Sequence, residues 1–351
     1  MVGALETALP GCESGSQSRS NARIERSQLT FSKALGQLLS AIEGVSVVIV
    51  AHNTRAYVEE RLEALSATPH ELIVVDNASD DGTPELVRAR FPGVRLIELA
   101  ENRGFGAASN EGMGIATGAY FLLLNPDAWP LGDGIERLVD CASRSSHIGA
   151  AGPALLDVAG NPQVSAFGFP TRWWTGAPAV TTAGPPPAVD RLLRLAASTS
   201  ARIRGARERR VFLVGAVLLL RREAVEDVGG FDLDFFMFNE DIDLCWRLWE
   251  RGWTVGLCPQ AQFAHVGGGS TAGDWTPLYR EQVRGHLRFL MKHHGSSEAD
   301  AARKHLVWVL RVRALAARGA ARDAYRQTAA WLSSTDAATL LGDAASASRQ
   351  A

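Results

Sequence analysis

Two spacings of apolar residues alternate along the first half of the chain, and their order predicts an α/β fold. Continuous apolar runs rich in β-branched residues are typical of parallel strands that are buried on both faces. Apolar residues three or four positions apart are typical of helices. The predicted strands are residues 45–51, 71–76, 94–99 and 120–124, and the predicted helices are residues 57–67, 83–90, 106–116 and 134–145. Strand, helix and strand at this spacing indicate right-handed crossovers and a mostly parallel, Rossmann-like sheet with flanking helices.

The second half of the chain has less regular spacing. The apolar run 211–220 predicts one buried strand, and residues 222–228 predict a short helix. An aromatic segment then leads to Asn239, a residue type that often caps helices, and the next helix is expected to end at Gly252. The remaining predictions are a strand at 253–258, a flexible glycine-rich loop at 262–271 and a helical tail at 278–341.

These patterns divide the chain into three predicted parts. Residues 1–43 are expected to form a disordered lead with a short helix, residues 44–275 an α/β domain, and residues 276–351 a helical C-terminal extension. Residues 160–190 and the arginine-rich segment 202–210 have no regular pattern, which predicts loops.

Composition narrows the classes of protein that fit this fold. The 351 residues are 46% hydrophobic and 21% charged with a net charge of -2, which gives no support for nucleic-acid binding. The longest apolar run, 211–220, is about half as long as a membrane-spanning helix, and the N-terminal residues lack the pattern of a secretory signal. Four cysteines without a C-x-x-C pair predict neither a zinc cluster nor a disulfide framework, so we expect a cytoplasmic protein.

Polar side chains follow each of the four predicted parallel strands. They are His52 and Asn53 after the first strand, Asp76 and Asn77 after the second, Asn102 and Arg103 after the third, and Asn125 and Asp127 after the fourth. Each group alone suits a turn. Because ligands of open parallel sheets bind at the carboxyl ends of strands, the four groups together favour a binding site.

Motifs that the chain lacks limit the nature of the ligand. There is no G-x-x-x-x-G-K-[ST] phosphate loop and no G-x-G-x-x-G after the first strand, which disfavours kinase-like NTPases and common dinucleotide enzymes. A nucleotide would need another counter-charge, and Mg²⁺ or Mn²⁺ held by one or two protein ligands suits that task. Asp127 is the natural ligand. His265 is a candidate second ligand, although a lone loop histidine is more often a surface residue.

Three acids stand at the start of the helix that follows the aromatic segment: Glu240, Asp241 and Asp243. Acids in a first turn are favoured by the helix dipole, so a purely structural role fits them. The preceding Phe236 and Phe238 favour another role, because a carboxylate desolvated by aromatic side chains is a candidate general base. From these residues alone both interpretations stay open.

Five segments, taken in order, resemble those of family 2 glycosyltransferases with the GT-A fold. They are SVVIVAHN at 46–53, VVDNASDDGT at 74–83, NRGFGAASNEG at 102–112, LLLNPD at 122–127, and residues 228–247 with VGGFD and NEDIDLCWR. The resemblance covers residues 45–275 and is strongest to the rhamnosyltransferase-like branch, which acts on bacterial cell-wall or surface polysaccharides. One departure is Asn125, which stands where the acidic metal motif of the family has its first acid.

The resemblance implies a role for each candidate site residue. The residues expected to bind the nucleotide sugar are Asn53, Asp76, Asn102, Asn110 and Asn125, the expected metal ligands are Asp127 and His265, and the expected catalytic residues are Asp241 as base and Glu240 as its alternative. Asp243 is expected to be structural. The implied cofactor is Mg²⁺ or Mn²⁺.

The activity implied by the resemblance is inverting, metal-dependent transfer of a sugar from a nucleoside-diphosphate sugar to a hydroxyl of a glycan or lipid-linked acceptor. Rhamnose from dTDP-rhamnose is the first candidate, with a UDP-sugar, another hexose or galactofuranose as alternatives. A sugar-phosphate nucleotidyltransferase has a similar fold, but residues 52–55 are not the basic glycine-rich loop that it would need. A glycoside hydrolase also uses two carboxylates but needs no nucleotide pocket. A catalytically silent binding module would need neither Asp127 nor Asp241.

The helical tail poses a separate question. Trp308, Leu315 and Trp331 occur among arginines such as Arg311 and Arg318. A basic amphipathic helix of this kind can lie on the inner face of a membrane, where a lipid-linked acceptor would be. A helix packed on the domain or at a homodimer interface fits the same pattern.

Overall fold

The computed structural model describes residues 44–172, 210–267 and 275–334, together with residues 336, 337 and 339. The predicted disordered lead at 1–43 lies outside the described residues. So do most of the arginine-rich segment and the second part of the long predicted loop at 160–190.

A mixed sheet of eight strands forms the centre of the described structure. The described residues form ten strands in all: β1 (Val45–Ala51), β2 (Glu71–Asp76), β3 (Arg95–Glu98), β4 (Tyr120–Leu124), β5 (Ala128–Pro130), β6 (Ile148–Leu156), β7 (Ala166–Gly168), β8 (Val211–Leu213), β9 (Val217–Arg221) and β10 (Thr254–His265). The sheet order is β3-β2-β1-β4-β9-β6-β10-β5, and β7 pairs with β8 separately. Strands β3, β2, β1 and β4 are parallel as predicted, and β6 and β10 are parallel to each other. Strand β9 runs antiparallel between β4 and β6, and β5 is an antiparallel edge strand.

Helices cover both faces of this sheet and extend beyond it. They are α1 (Arg55–Leu65), α2 (Thr83–Arg90), α3 (Phe105–Ile115), α4 (Gly134–Ser143), α5 (Arg222–Val228), α6 (Glu240–Glu250), α7 (Trp275–His294), α8 (Ser296–Ala316) and α9 (Gly319–Ser333). Within the described ranges, none of these helices has both the length and the apolar character to span a bilayer.

The central strands are buried on both faces, which explains their continuous apolar sequences. Successive residues of a strand point to opposite faces. Val47 and Ile49 of β1 pack in one core with α1 and α4. Val48 packs in the other core, which also contains residues of α6 to α9 such as Leu287 and Leu306. The C-terminal helices therefore share a core with the sheet.

The prediction of one strand at 211–220 is wrong. The run is split into β8 and β9, which lie in different sheets, by a corner at 214–216. At this corner Val214 N–H donates to the Ser165 carbonyl at 3.1 Å, and Gly215 N–H donates to the Asp241 carboxylate at 2.9 Å. The backbone leaves the ladder because its donors are satisfied elsewhere. The hydrophobic pattern does not report this, since all ten residues are apolar or glycine.

The prediction that His265 lies in a flexible glycine-rich loop is also wrong. Strand β10 continues through a bulge between Cys258 and Gln262 and ends at His265, which is in register with Ala128 of β5. The predicted strand at 253–258 was therefore too short. The register of β10 against β6 shifts at this bulge, and the apolar pattern of the first half of β10 is interrupted there.

The predicted capping role of Asn239 is wrong in its mechanism. Asn239 stands at the N-cap position of α6, but it has a left-handed backbone (φ 69°) and makes no side-chain capping hydrogen bond. Its Nδ2 donates instead to the carbonyl of Gln282 on α7 at 3.2 Å. The approach of α7 requires a glycine there, because a Cβ on Gly285 would lie 2.6 Å from the carbonyl oxygen of Phe238.

Candidate functional site

Asn53 joins the loops that follow β1 and β2. Its backbone is left-handed (φ 53°), its N–H donates to Ser79 Oγ at 3.0 Å, and its Oδ1 accepts from Asp80 N–H at 2.9 Å. Asp76, at the end of β2, is 2% exposed, and its Oδ2 accepts from Ser79 N–H at 3.0 Å. Its buried Oδ1 accepts no hydrogen bond from the described residues, so this oxygen is available to a donor group of a ligand. A role of both residues in nucleoside binding stays a prediction.

Asn102 shapes the loop between β3 and α3. Its Oδ1 accepts from the side-chain amide of Asn77 at 2.9 Å and from Gly104 N–H at 3.0 Å. Gly104 has φ 81°, and a Cβ on it would lie 1.8 Å from the carbonyl oxygen of Phe236. Phe105 N–H donates to that same oxygen at 3.1 Å. The loop after β3 therefore lies against the backbone of the aromatic segment 235–238, and the absence of a side chain permits this approach.

Asn110 connects α3 to the segment that leads into the site. Its Nδ2 donates to the Phe231 carbonyl at 2.9 Å, and its Oδ1 accepts from Phe231 N–H at 2.9 Å. Gly230 passes so close that a Cβ there would lie 2.6 Å from Asn110 Oδ1. Both polar ends of the side chain thus hold the protein backbone. The predicted contact with the diphosphate or ribose is untested and would have to share these atoms.

Asp127 and His265 face each other where β5 and β10 meet. Asp127 is 2% exposed, and its Oδ1 lies 3.6 Å from His265 Nε2, which is too long for a hydrogen bond. Within the described residues this oxygen accepts no hydrogen bond. Burial lowers the pKa of His265, and the nearby Asp127 charge opposes that shift. Burial therefore favours a neutral imidazole beside the carboxylate.

Gln163 fixes the orientation of the His265 ring. Its Nε2 donates to the backbone carbonyl of His265 at 2.8 Å, so its Oε1 must be the atom that lies 3.0 Å from His265 Nδ1. An amide oxygen only accepts, which assigns the proton to Nδ1 in the neutral ring. The Nε2 lone pair then points towards Asp127. Two acceptors facing each other at 3.6 Å suit a cation between them, and an outer hydrogen bond that fixes the tautomer is usual for metal-bound histidine.

This pair of side chains fits a divalent metal with further ligands from substrate. Imidazole suits Mn²⁺ and other transition metals, and carboxylate suits both Mg²⁺ and Mn²⁺. The described residues contain no cluster of three or more His, Cys, Asp or Glu side chains of metal-binding geometry. Asn125, two residues before Asp127, is half-buried, and its N–H donates to the Ala216 carbonyl at 2.9 Å. A metal held by two protein ligands would be completed by water and diphosphate oxygens.

Asp241 is the half-buried acid in the first turn of α6. Its Oδ2 accepts from Gly215 N–H at 2.9 Å, and its Oδ1 accepts from Ile242 N–H at 2.8 Å. Burial raises the pKa of Asp241, and these two N–H donors lower it in part. The result is an oriented carboxylate with a raised basicity, which suits a general base.

Glu240 is more deeply buried than its neighbour. It is 6% exposed, and its Oε2 accepts no hydrogen bond from the described residues. Burial raises the pKa of Glu240, and the charge on Asp241 raises it further. A charged Asp241 therefore favours a neutral Glu240, and the hydrogen bonds to Asp241 favour the charge on that residue.

Asp243 has a different environment and contacts two cationic side chains and a histidine ring. It is 0% exposed and lies 2.7 Å from Arg247 Nε, 2.7 Å from Lys292 Nζ and 2.8 Å from His293 Nε2. Burial alone would raise its pKa, but the bonds from His293, Arg247 and Lys292 lower the pKa of Asp243 to about 2. This carboxylate joins α6 to α7, as the expected structural role requires.

The corner at 214–216 contacts both Asp241 and the segment that contains Asp127. Gly215 donates to Asp241, and the adjacent Ala216 accepts from the backbone of Asn125, two residues from Asp127. Sequence reasoning missed both Gly215 and Gln163. The glycine inside an apolar run was a signal for Gly215, since such glycines often mark a break or a close approach. For Gln163 no local signal exists.

Comparisons with known proteins identify the family of this chain. Sequence models of "Glycosyl transferase family 2" and "Glycosyl transferase family group 2" match residues 46–172 and 194–334. The chain is 32% identical over 277 residues to N-acetylglucosaminyl-diphospho-decaprenol L-rhamnosyltransferase of Mycobacterium tuberculosis, across 75% of this chain and 85% of that protein. It is 25% identical over 257 residues to poly-beta-1,6-N-acetyl-D-glucosamine synthase of Staphylococcus aureus, across 70% of this chain and 55% of that protein.

One solved structure confirms the predicted fold. The mannosyltransferase PcManGT from Pyrobaculum calidifontis, in complex with GDP-Man and Mn²⁺, superposes with a TM-score of 0.50 and 20% identity, covering 86% of both chains. At this identity the likeness concerns the fold alone. Together with the family matches and the rhamnosyltransferase relative, it confirms the GT-A fold and the class of enzyme that the motifs indicated. The chain belongs to glycosyltransferase family 2.

Proposed function

We propose that this glycosyltransferase inverts the configuration of the transferred sugar, with Asp241 as the general base. The observation that carries this proposal is the Asp241 carboxylate, fixed by the N–H groups of Gly215 and Ile242 and raised in pKa by burial. Its orientation is set by two backbone donors from different elements. Glu240, kept neutral beside a charged Asp241, would contact the acceptor, and it is the alternative base.

The reaction that fits this arrangement is a direct displacement. The acceptor hydroxyl oxygen forms a bond to the anomeric carbon while the bond from that carbon to the diphosphate oxygen breaks. The hydroxyl proton passes to Asp241, and the nucleoside diphosphate leaves with the electron pair of the broken bond. A positioned base of this kind contributes roughly 10²- to 10⁴-fold to the rate.

Asp127 and His265 are proposed to hold the divalent cation, Mg²⁺ or Mn²⁺. The support is the buried Asp127 Oδ1, which accepts no hydrogen bond from the described residues and faces the lone pair of His265 Nε2. When bound, the cation would neutralise charge on the leaving diphosphate. Asp76 and Asn53 are proposed to contact the nucleoside, and Asn102, Asn110 and Asn125 to line the remainder of the nucleotide-sugar pocket.

The donor and acceptor are proposed from the rhamnosyltransferase relative. We propose dTDP-rhamnose as the donor, a UDP-sugar as its alternative, and a lipid-linked glycan hydroxyl on the cytoplasmic face of the membrane as the acceptor. Residues 44–275 would form the transfer domain, and residues 276–351 its helical extension.

Release of nucleoside diphosphate across a panel of nucleotide sugars, with and without EDTA, tests this proposal. We expect release from dTDP-rhamnose to be highest and to stop with EDTA, and the new linkage to be inverted when read by NMR. A preference for another hexose or for galactofuranose would change the donor but keep the mechanism. Metal-independent hydrolysis of an oligosaccharide would rule out the transferase mechanism.

A further inference from the structure

The outward face of helix α8 carries large apolar side chains that the rest of the described structure does not cover. Trp308 is 64% exposed, Val312 46% and Leu315 78%. At about 100° per residue these positions and the basic positions Lys304 and Arg311 fall on one side of the helix, within about 100° of arc. The opposite side, with Leu306 and Leu310, is buried in the core. The helix is thus apolar on both sides, and within the described residues only one side is packed against other elements.

The charge along residues 301–318 is positive. Residues 301–318 contain five lysine and arginine residues and no acid. Two of the five contact other groups of the protein. Arg303 donates to Asp300 and to the Leu332 carbonyl, and Arg313 lies near Tyr279. The other three, Lys304, Arg311 and Arg318, are exposed, and Lys304 also lies 3.7 Å from the Asp300 carboxylate at one end of the face. Exposed Trp and Leu surrounded by exposed cations are the composition that binds the headgroup region of an anionic bilayer.

A shallow depression between α8 and α9 adds a feature of the right size for a headgroup. It has a volume of about 320 Å³ and is lined by Arg311, Ala314, Leu315, Arg326, Ala329 and Ala330. Two guanidinium groups thus stand beside the most exposed apolar residue of the face. Guanidinium groups bind phosphate oxygens in bidentate geometry.

We propose that this α8–α9 face, made of Lys304, Trp308, Arg311, Val312, Leu315, Arg318 and Arg326, docks on an anionic phospholipid surface. Trp308, Val312 and Leu315 enter the interfacial layer, and the arginines bind lipid phosphates. A second copy of the chain fits less well, because a two-fold interface would bring the same cations together. Docking would bring the enzyme to a lipid-linked acceptor, which stays at the membrane. Only this reason for docking rests on the proposed function.

Sedimentation of the full chain with vesicles tests the docking surface without any substrate. We compare vesicles of phosphatidylcholine alone with vesicles that contain about one-third phosphatidylglycerol. Strong binding is expected only to the anionic vesicles, and it should weaken as salt is added because exposed charges are screened. Equal binding to both vesicles, or binding to neither, would overturn the proposal.

Matched variants locate the contact. The pair Arg311→Ala and Arg326→Ala should lower the vesicle partition coefficient roughly tenfold or more, and Trp308→Ser with Leu315→Ser should lower it by at least as much. The controls are Arg144→Ala and Val158→Ser, which remove an exposed cation and an exposed apolar residue elsewhere and should not change binding. Unchanged binding of both face variants would overturn the proposal. All substitutions are at exposed positions, and thermal unfolding verifies that each variant is folded.

Two further readouts separate this proposal from its alternatives. Light scattering measures the oligomeric state, and a dimer that Trp308→Ser converts to monomers would assign the face to a second copy. Transfer of the sugar to a water-soluble acceptor, measured by release of nucleoside diphosphate, should be unchanged in the face variants. A chain that binds anionic vesicles but transfers no sugar contradicts only the proposed function, and the reverse result contradicts only the docking surface.

Discussion

The backbone N–H of Gly215 donates a hydrogen bond of 2.9 Å to Oδ2 of Asp241, 26 positions further along the chain. The bond exists because the apolar run 211–220 breaks at this glycine instead of forming one strand. A Cβ on Gly215 would lie 3.2 Å from that same oxygen, which is tighter than an ordinary van der Waals contact. The close approach of this backbone to the carboxylate therefore favours glycine. The strand break therefore orients the proposed base.

Replacing that base should separate transfer from donor binding. Asp241→Asn keeps the shape of the side chain and can still accept one N–H, but it cannot take a proton at neutral pH. We expect transfer to fall roughly 10²- to 10⁴-fold while the affinity for the nucleotide sugar changes little. Nucleoside diphosphate release measures the first and calorimetric titration with donor the second. Glu240→Gln is the matched control. Near-normal transfer by Asp241→Asn would move the base to Glu240.

The pH profile gives an independent check on the base. Burial raises the pKa of Asp241 to about 6. The active form is the carboxylate, so transfer should rise as the pH increases through about 6 and be level above neutral pH. Burial and the Asp241 charge hold Glu240 protonated in this range, so Glu240→Gln should keep the same rise. Loss of the acidic limb in Glu240→Gln would instead assign the titration to Glu240.

The Gln163–His265 pair should control metal affinity. Asp127→Ala removes a proposed ligand and should abolish metal-dependent donor binding. Gln163→Leu removes only the group that fixes the His265 tautomer, and an outer-sphere partner of this kind typically changes metal affinity by about 10- to 100-fold. Mn²⁺ binding, followed by electron paramagnetic resonance in the presence of nucleoside diphosphate, measures both variants.

The matched control for this pair is Gln262→Leu on β10. Its side chain is exposed, and its backbone carbonyl accepts from Leu131 N–H. Mn²⁺ affinity should equal that of the unmodified chain in this variant. If Gln163→Leu also bound Mn²⁺ normally, His265 would not need the orientation that Gln163 provides.

The parallel half of the sheet was predictable because its signal is local. Strands β1, β2 and β4 have the predicted bounds, since both of their faces are buried and the whole run must be apolar. The helix α2 also begins and ends as predicted, with Pro84 in its first turn. The acids and amides at the strand ends could be found for the same reason, because each directly follows such a run.

The structural features that were predicted wrongly or missed depend on contacts between residues distant in sequence. The apolar pattern of 211–220 does not separate a ten-residue strand from two short strands, and apart from Gly215 nothing local marks the corner whose N–H groups donate to Ser165 and Asp241. Likewise, His265 belongs to a strand because β10 pairs with β5 and β6 across a bulge. Gln163 is 102 positions from the histidine that it orients, and a single glutamine carries no pattern of its own.

Gly104 should be intolerant of any side chain. Its φ is 81°, and a Cβ would lie 1.8 Å from the carbonyl oxygen of Phe236, so Gly104→Ala must push the loop after β3 away from the aromatic segment. We expect a loss of about 2 kcal/mol or more in the free energy of unfolding and a higher KM for the donor. Gly114→Ala in α3 is the control, because a Cβ there meets nothing within 4 Å, and it should stabilise the chain by up to about 1 kcal/mol. Equal melting temperatures for the two variants would contradict the close approach.

Asp243 should contribute stability that depends on pH in a defined direction. Its pKa is lowered to about 2, below the value of about 3.9 expected in the unfolded chain. Its contribution is therefore fully present above the unfolded pKa and is lost as the pH falls through the folded pKa. Asp243→Asn should lower the free energy of unfolding by about 3 kcal/mol at neutral pH, because Arg247 and Lys292 lose a buried counter-charge and His293 loses the carboxylate that it contacts. The difference from the unmodified chain should shrink towards pH 2.

The matched control for Asp243→Asn is Asp140→Asn. Asp140 pairs with Arg144 at the same i,i+4 spacing as Asp243 with Arg247, but the side chains of Asp140 and Arg144 are both more than half exposed. An exposed pair contributes roughly 0 to 1 kcal/mol, so denaturant titrations of the two variants should differ clearly at neutral pH. Similar small losses in both would mean that α6 does not depend on the Asp243 link to α7. Asp243→Asn should also reduce transfer at temperatures well below unfolding, since α6 carries Asp241 in the same first turn.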